Sequence, residues 1–296
     1  MNQDNPTSVP STSPQTSGMA ITSLVLGITS FLCWIFTGLP AVILGFVALG
    51  KINRSQGRLT GSGMAIAGIV LGGVTTILVL PIMVALLLPA VQAARGAAQR
   101  NVAMNHMKMI SLALQNYHDT KRGLPAAGGG QGEGAGLSWR VHILPYMEQQ
   151  ALYEQFHLDE PWDSEHNRAL IKNMPQEYKD PSEKVPEGKT TYLAISGPDT
   201  VFGDGTSQVR FSDIKDGISN TVLFVEADPD HAVEWTKPED LKFDPNDPLK
   251  GLGHLRFHGF LAAFGDGHVS FINDTTSPEV LKAMMTPAGN ETVSTP

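Results

Sequence analysis

The sequence predicts an α+β protein, in which a two-helix transmembrane hairpin sends its second helix onward as a long spine packed on an antiparallel β-sheet. Two uncharged apolar runs lie within the first 94 residues. A helical pattern of apolar and small residues follows the second run directly. Short segments rich in β-branched and aromatic residues fill the C-terminal half, which is typical of strands.

Charge divides the 296 residues into two parts. Of the 29 acidic and 21 basic residues, residues 1–94 hold only Asp4, Lys51, Arg54 and Arg58, so residues 95–296 carry a net charge of −10. An acidic domain repels phosphate backbones, and no Lys/Arg cluster with interleaved aromatics occurs, so nucleic-acid binding is disfavoured. The only cysteine, Cys33, lies in the first apolar run, which excludes an intramolecular disulfide and a Cys-based site in the remainder.

The two apolar runs, residues 19–50 and 61–94, contain no charged residue and no histidine. Each exceeds the roughly 20 residues that cross a bilayer core. We expect a membrane hairpin over residues 19–94, with spans at about 19–48 and 64–90, and a kink where Gly38 and Pro40 interrupt the first span. No basic segment precedes the first run, which favours a span over a cleaved signal peptide. Residues 1–18 form a polar tail without apolar periodicity, which predicts disorder.

Positive charge indicates the orientation. Lys51, Arg54 and Arg58 would hold the loop between the spans in the cytoplasm, leaving both ends of the hairpin outside. Arg95, Arg100 and Lys108 pull in the opposite direction. The charge evidence on orientation is therefore mixed. Together with the resemblance described below, it favours an extracytoplasmic domain over residues 95–296.

The second span continues into a helix over about residues 64–118, which Pro81 and Pro89 should bend. Its outer half carries a stripe at helical spacing that Asn105 interrupts: Val91, Ala94, Ala98, Val102, Met109 and Leu112. Gly123 and Pro125 end the helix, and residues 128–136 form a glycine-rich loop that lacks the strand and the Lys-Ser/Thr of a phosphate-binding loop.

The soluble domain combines short helices with strands. Helices are expected over 145–156, over 165–174 with Ser164 as cap, and over 279–285 after Ser277 and Pro278. The segments TTYLAIS, SQVRFSDI, NTVLFVEA and GFLAAF predict strands. Asp266-Gly267 between two apolar runs predicts a hairpin turn, a role that needs no ligand.

Many ordered blocks resemble the bacterial pilin-like family catalogued as domain of unknown function 1559, over about residues 84–285. The resemblance rests on LLLPAVQAAR, NHMKMISLALQNYHDT, SWRVHILPYMEQQALYEQF, PWDSEHNRAL, TYLAISGPDTVF, DIKDGISNTVLFVEA, WTKPEDLKFDPNDPLKGLG and FGDGHVSFI. It implies a pilin-like or pseudopilin-like head on an N-terminal apolar helix. Residues 18–80 separately resemble a two-span bacterial membrane module of unknown function.

Departures from the family pattern carry their own implications. No prepilin signature of the type G-F-T-L-x-E precedes Leu86; the two-span module stands in its place, which implies an uncleaved anchor and not a processed filament subunit. Many members carry a Cys near position 105 and another in a Cys-Pro-Ser block, where this chain has Asn105 and Asp180. The spacing from His258 to Asp266-Gly267 is shorter by two residues than in the family.

Candidate chemistry is sparse. His254 and His258 are four residues apart with His268 nearby, but the surrounding glycines disfavour a helix and no Glu adjoins His254, so we predict no metal site. Calcium through Asp199, Asp204 and Asp213 lacks EF-hand spacing. No nucleophile elbow occurs, and Asp163, Glu165 and His166 fit a helix start. We therefore predict no catalytic and no cofactor-binding residues.

The sequence favours a non-enzymatic, pilin-like or pseudopilin-like protein anchored as a multi-pass protein in the bacterial inner membrane. Its role would be structural, in surface assembly, in secretion or in partner binding. The expected partners are the lipid bilayer and either envelope proteins or further copies of the chain. The alternative is a membrane-tethered receptor or metal-dependent enzyme with a pocket around His254, His258 and Asp266.

Overall fold

The computed structural model describes residues 15–33, 35–127, 136–182, 184–203 and 208–289. The predicted polar tail up to residue 14 and the predicted glycine-rich loop up to residue 135 lie outside the described residues. The chain divides into two compact units, Met1–Arg95 and Gly96–Pro296.

The fold is mixed helix and sheet. Its α-helices are α1 (Gly18–Cys33), α2 (Ile35–Arg54), α3 (Ser62–Lys121), α4 (Trp139–His142), α5 (Gln150–Tyr153), α6 (Glu165–Ala169) and α7 (Pro278–Met285). Its strands are β1 (Gln15–Thr16), β2 (Leu59–Thr60), β3 (Lys189–Thr190), β4 (Tyr192–Ser196), β5 (Val222–Glu226), β6 (Val233–Glu234), β7 (Leu241–Lys242), β8 (Gly259–Phe264) and β9 (Val269–Asn273).

The first unit differs from the predicted hairpin, because the expected span over 19–48 is two helices, α1 and α2, that pack against each other. Small residues explain the close packing. The Ser23 hydroxyl donates to the carbonyl oxygen of Ala41 at 2.9 Å. A Cβ added to Gly27 would lie 3.0 Å from the Cα of Gly68 on α3, and one added to Gly68 would lie 2.6 Å from the Ser23 backbone oxygen. Small residues at such positions let helix backbones approach closely, also inside membranes.

A short strand pair corrects the expected arrangement of the ends. Gln15 and Thr16 pair in parallel with Leu59 and Thr60, so the start of α1 lies beside the segment that follows the basic loop. The prediction that the N-terminal end and the basic loop lie at opposite ends of this unit is therefore wrong. The unit contains three helices and not two. Helix α1 leads the chain away from the end where β1 lies, and helix α2 leads it back to that end, where β2 follows.

Helix α3 is the long helix that the sequence predicted over 64–118. It runs over 60 residues and contains both Pro81 and Pro89. By length and composition it is the one helix among the described residues that could cross a membrane. Large apolar side chains are exposed along its central part, from Ile77 to Val91.

In the second unit, five strands form a sheet in the order β7-β4-β5-β8-β9, with β7 parallel to β4 and the other pairs antiparallel. Alternate residues of β4 lie on opposite faces of the sheet. On one face, Tyr192 and Ala194 belong to the core that includes Ile110 and Leu114 of α3. Leu193 and Ile195 join a second core with residues of α7. This alternation is the normal consequence of the pleat.

The predicted stripe on α3 is not the face of the helix that packs on the sheet. Val102, Met109 and Leu112 are exposed, whereas Ala103, Met107, Ile110 and Leu114 are buried. The four buried residues also follow helical spacing, but each lies one or two positions along the chain from a residue of the stripe, so they form a different face of the helix. The helix therefore has two apolar faces, and the one without Asn105 packs on the sheet.

Several local predictions are confirmed. The Ser164 hydroxyl accepts from the Asn167 amide, and Ser277 caps α7. Asp266 and Gly267 form the β8–β9 hairpin turn, with Gly267 at φ 91°. Two are wrong: Glu148, at φ 59°, interrupts the helix expected over 145–156, and the described part of SQVRFSDI forms a 3₁₀ turn at Phe211–Asp213 in place of a strand.

Candidate functional site

A buried carboxylate, that of Asp240, lies directly before the edge strand β7. Its Oδ1 accepts three hydrogen bonds, from the Arg140 guanidinium at 2.6 Å, the Trp139 indole at 3.1 Å and the Ala194 amide at 2.8 Å. The side chains of Arg140 and Asp240 are 0% and 3% exposed. Ion pairs this deeply buried need good geometry to offset their desolvation.

Arg140 meets that requirement through further hydrogen bonds. Its Nε donates to the Tyr192 carbonyl at 2.9 Å, and its Nη1 donates to the Ser138 hydroxyl at 2.7 Å. The Tyr178 hydroxyl donates to the Arg140 carbonyl at 2.8 Å. The short helix α4, capped by Ser138, thus places the guanidinium beneath the sheet edge.

The second oxygen of Asp240 is different. Asp240 Oδ2 is buried and has no hydrogen-bond partner among the described residues. Burial raises the pKa of Asp240, and the nearby Arg140 charge opposes that rise. A buried acceptor without a partner is destabilising, by about 1–3 kcal/mol. The carboxylate is therefore held in place on one side and unsatisfied on the other.

Asp240 contributes to the wall of a groove of about 640 Å³ along the β7 edge. Buried apolar residues also line it: Leu193, Val233 and Leu241. Most of the residues that line the groove are charged, so its surface is more polar than apolar.

Ion pairs occupy the rim of this groove. Lys189 lies 3.8 Å from Glu234, Lys250 lies 3.7 Å from Asp244, and Lys237 pairs with Glu239. Lys242 lines the groove and is exposed, and it has no ion pair among the described residues. The groove thus contains one lysine that is not already neutralised.

A second buried ion pair joins Glu226 of β5 to Arg256. Burial raises the pKa of Glu226, and hydrogen bonding to Arg256 opposes the rise. Burial also raises the pKa of Tyr192 well above its usual range, with Glu226 and Asp180 contributing in the same direction. The side chains of Glu226 and Arg256 are 0% and 9% exposed, so this pair lies inside the second unit.

The histidines that the sequence singled out do not converge. His254 Nδ1 lies 2.7 Å from the buried Asp228 carboxylate, and His258 Nδ1 lies 3.5 Å from Asp274. Asp266 accompanies His268 at the far end of β8, and the six residues of that strand span roughly 20 Å. The alternative pocket around His254, His258 and Asp266 is therefore not formed. Among the described residues, no three His, Cys, Asp or Glu side chains are grouped to hold a metal ion.

Sequence reasoning missed Arg140 and Asp240. Arg140 carried a signal, since it stands between Trp139 and Val141 in a largely apolar segment, whereas Asp240 lies among other charged residues and carried none. Both residues also lie in blocks that carry the family resemblance. The sequence does not reveal that these two blocks meet.

Comparison with known proteins finds two family matches along the chain. The family described as Protein of unknown function (DUF1559) matches residues 92–252, and the family described as Domain of unknown function (DUF4190) matches residues 19–82. Neither a curated protein nor a solved structure matches the chain. The first match covers more than half of the 296 residues and includes Arg140, Lys242 and Asp240. The chain therefore belongs to the family described as Protein of unknown function (DUF1559).

Proposed function

We propose that this chain is a non-enzymatic, pilin-like or pseudopilin-like protein of the bacterial cell envelope, anchored in the inner membrane by its first unit and active through its second unit outside the cytoplasm. The observation that carries the proposal is helix α3. The same helix supplies an exposed apolar stretch long enough to cross a bilayer and, from Ala103 onward, part of the core of the second unit.

The anchor is a multi-pass unit of three helices. Helix α1, with 16 residues, is about 24 Å long and shorter than the bilayer core, so its packing against α2 and α3 supports its place there. Lys51, Arg54 and Arg58 hold the α2–α3 loop in the cytoplasm. Because β1 pairs with β2, the start of α1 lies on the cytoplasmic side as well.

The outward face of α3 is the surface for partner binding or assembly. Val102, Met109 and Leu112 repeat at spacings of seven and three residues, which is the pattern of a helix that packs on another helix. An exposed apolar stripe of this kind marks an interaction surface. The partner is an envelope protein or a second copy of the chain.

Cross-linking in cells tests this role. Leu112→Cys, in a Cys33→Ser background, should cross-link to a second copy through a bismaleimide, or to one recurring membrane partner through a maleimide–benzophenone photo-cross-linker. Cysteine at the exposed Lys172 is the matched control and should give no specific product. Equal, diffuse cross-linking from both positions would contradict a role for the stripe.

A further inference from the structure

The exposed face of α3 in the second unit carries a heptad pattern. In a coiled coil, the residues that meet the partner helix are spaced alternately three and four residues apart. Six exposed residues of α3 follow that spacing without a break, and together they form what we call the heptad face: Ala98, Val102, Asn105, Met109, Leu112 and Asn116. The apolar stripe is therefore part of a longer face that includes two asparagines.

The residues that pack inside the second unit lie outside the heptad face. Ala103, Met107, Ile110 and Leu114 belong to the core that α3 shares with the sheet, and none of them occupies a position of the heptad face. Helix α3 can therefore pack on its own sheet and on a second helix at the same time.

The two asparagines indicate which helix is the partner. An asparagine amide has both a donor and an acceptor, so two asparagines that face each other can satisfy one another. In a parallel pair of identical helices, each core position meets the same position of the other copy. Asn105 then meets Asn105, and Asn116 meets Asn116. An apolar partner helix would instead bury both amides without hydrogen bonds, which is costly.

The residues that flank the heptad face are also compatible with a second copy. Across a parallel pair, Lys108 meets Ala113 and Asn101 meets His106. From residue 98 to residue 116, no two like charges face each other across the pair. The charges of the helix therefore do not oppose pairing with itself.

We propose that α3 of one copy pairs in parallel and in register with α3 of a second copy through the heptad face. This pairing rests on the proposed function, because a shared membrane anchor makes the two helices run in the same direction. The face is about 27 Å long, which is short for a coiled coil. The membrane holds the copies at a high effective concentration, so the pair forms there and separates on dilution in micelles.

Disulfide formation in isolated membranes tests the pairing. Each chain carries Leu112→Cys in a Cys33→Ser background, and copper phenanthroline is the oxidant. We expect a disulfide-linked dimer, because the two copies of position 112 face each other in a pair that is in register. Lys121→Cys, exposed on the same helix but off the heptad face, is the matched control and should give no dimer. No dimer from Leu112→Cys, or equal dimer from both positions, would overturn the proposal.

Charge exchange at position 105 tests whether this residue meets its own copy. Asn105→Asp or Asn105→Lys, each combined with Leu112→Cys and expressed alone, places like charges opposite each other and should reduce the dimer about tenfold or more. Co-expression of the two variants with different tags should restore a mixed dimer. Full dimer from either variant alone, or no recovery in the mixed pair, would overturn the pairing in register. Asn173→Asp and Asn173→Lys, at an exposed asparagine outside α3, are the matched controls and should leave the dimer unchanged.

Failure of the pairing is distinguishable from failure of the proposed function. The oxidant reaches both sides of isolated membranes, so a second unit on the cytoplasmic side would contradict the proposed function and leave the Leu112→Cys dimer in place. The absence of that dimer, together with one recurring photo-cross-linked protein from position 112, would overturn the pairing and assign the stripe to a different partner.

Discussion

Arg140 and Asp240, one hundred residues apart in the chain, form an ion pair of 2.6 Å with both side chains almost fully excluded from solvent. The pair joins helix α4 to the edge of the sheet, since Asp240 also accepts from the Ala194 amide on β4. Removing one member of such a pair leaves the other charge buried and uncompensated, which is strongly destabilising.

Asp240→Asn should therefore destabilise the second unit by about 3–5 kcal/mol. The amide keeps the shape of the side chain but leaves the Arg140 charge without its counterion. Thermal unfolding of the full chain in detergent micelles measures the effect. Asp244→Asn is the matched control, because its partner Lys250 is exposed, and it should cost less than about 1 kcal/mol. Equal melting temperatures for the two variants would contradict the structural role of the pair.

Helix α3 offers a test of which apolar face is packed. Leu114→Ala should destabilise the protein by about 2–5 kcal/mol, because Leu114 is 0% exposed. Leu112→Ala, at 58% exposed, should change stability by less than about 0.5 kcal/mol. Denaturant unfolding of both variants checks the prediction. A larger loss from Leu112→Ala would mean that the stripe faces inward.

Packing in the first unit depends on Gly68. Gly68→Ala should lower stability by about 1–3 kcal/mol, since the new Cβ would overlap the Ser23 backbone oxygen on α1. A Cβ added to Gly73, on the same helix, would meet only the Val42 side chain, at 4.0 Å. Gly73→Ala should therefore be neutral or slightly stabilising. The melting temperature in micelles distinguishes the two, and a neutral Gly68→Ala would contradict the packing of α1 on α3.

Stability should depend on pH through His254. Its hydrogen bond to Asp228 raises the pKa of His254 above 6.5. The stabilisation is fully present below pH 6.5 and is lost as the pH rises through the higher pKa of the folded state. His254→Gln should therefore lower the melting temperature more at pH 5.5 than at pH 8.5. In an Asp228→Asn background, this pH-dependent difference should disappear; its persistence would assign the effect to another group.

Local chemistry made much of the fold predictable. Ser164 and Ser277 stand at helix starts, Asp266-Gly267 stands at a turn, and the apolar run after Gly61 continues as a long helix, so short-range patterns were sufficient. The division of this run into two packed helices, α1 and α2, was missed because both helices are equally apolar. Its cause is long-range: Ser23, Ala41 and Gly68 meet only after folding.

The candidate site was unpredictable for a similar reason. Arg140 stands out in a largely apolar segment, but Asp240 looks like an ordinary surface charge in its own. The two residues meet because β4 contacts Arg140 through the Tyr192 carbonyl and pairs with β7, which directly follows Asp240. The histidines were conspicuous in the sequence, yet strand β8 separates His258 from Asp266. Spacing along the chain is a poor guide where a strand intervenes, because side chains eight residues apart then lie far from each other.

Labelling of single cysteines in intact cells tests the central claim most directly. In a Cys33→Ser background, cysteine replaces Thr16, Thr60 or Lys172, all of which are exposed. A membrane-impermeant maleimide should label position 172 in intact cells, and should label positions 16 and 60 only after the membrane is permeabilised. Labelling of positions 16 and 60 but not 172 in intact cells would contradict an extracytoplasmic second unit.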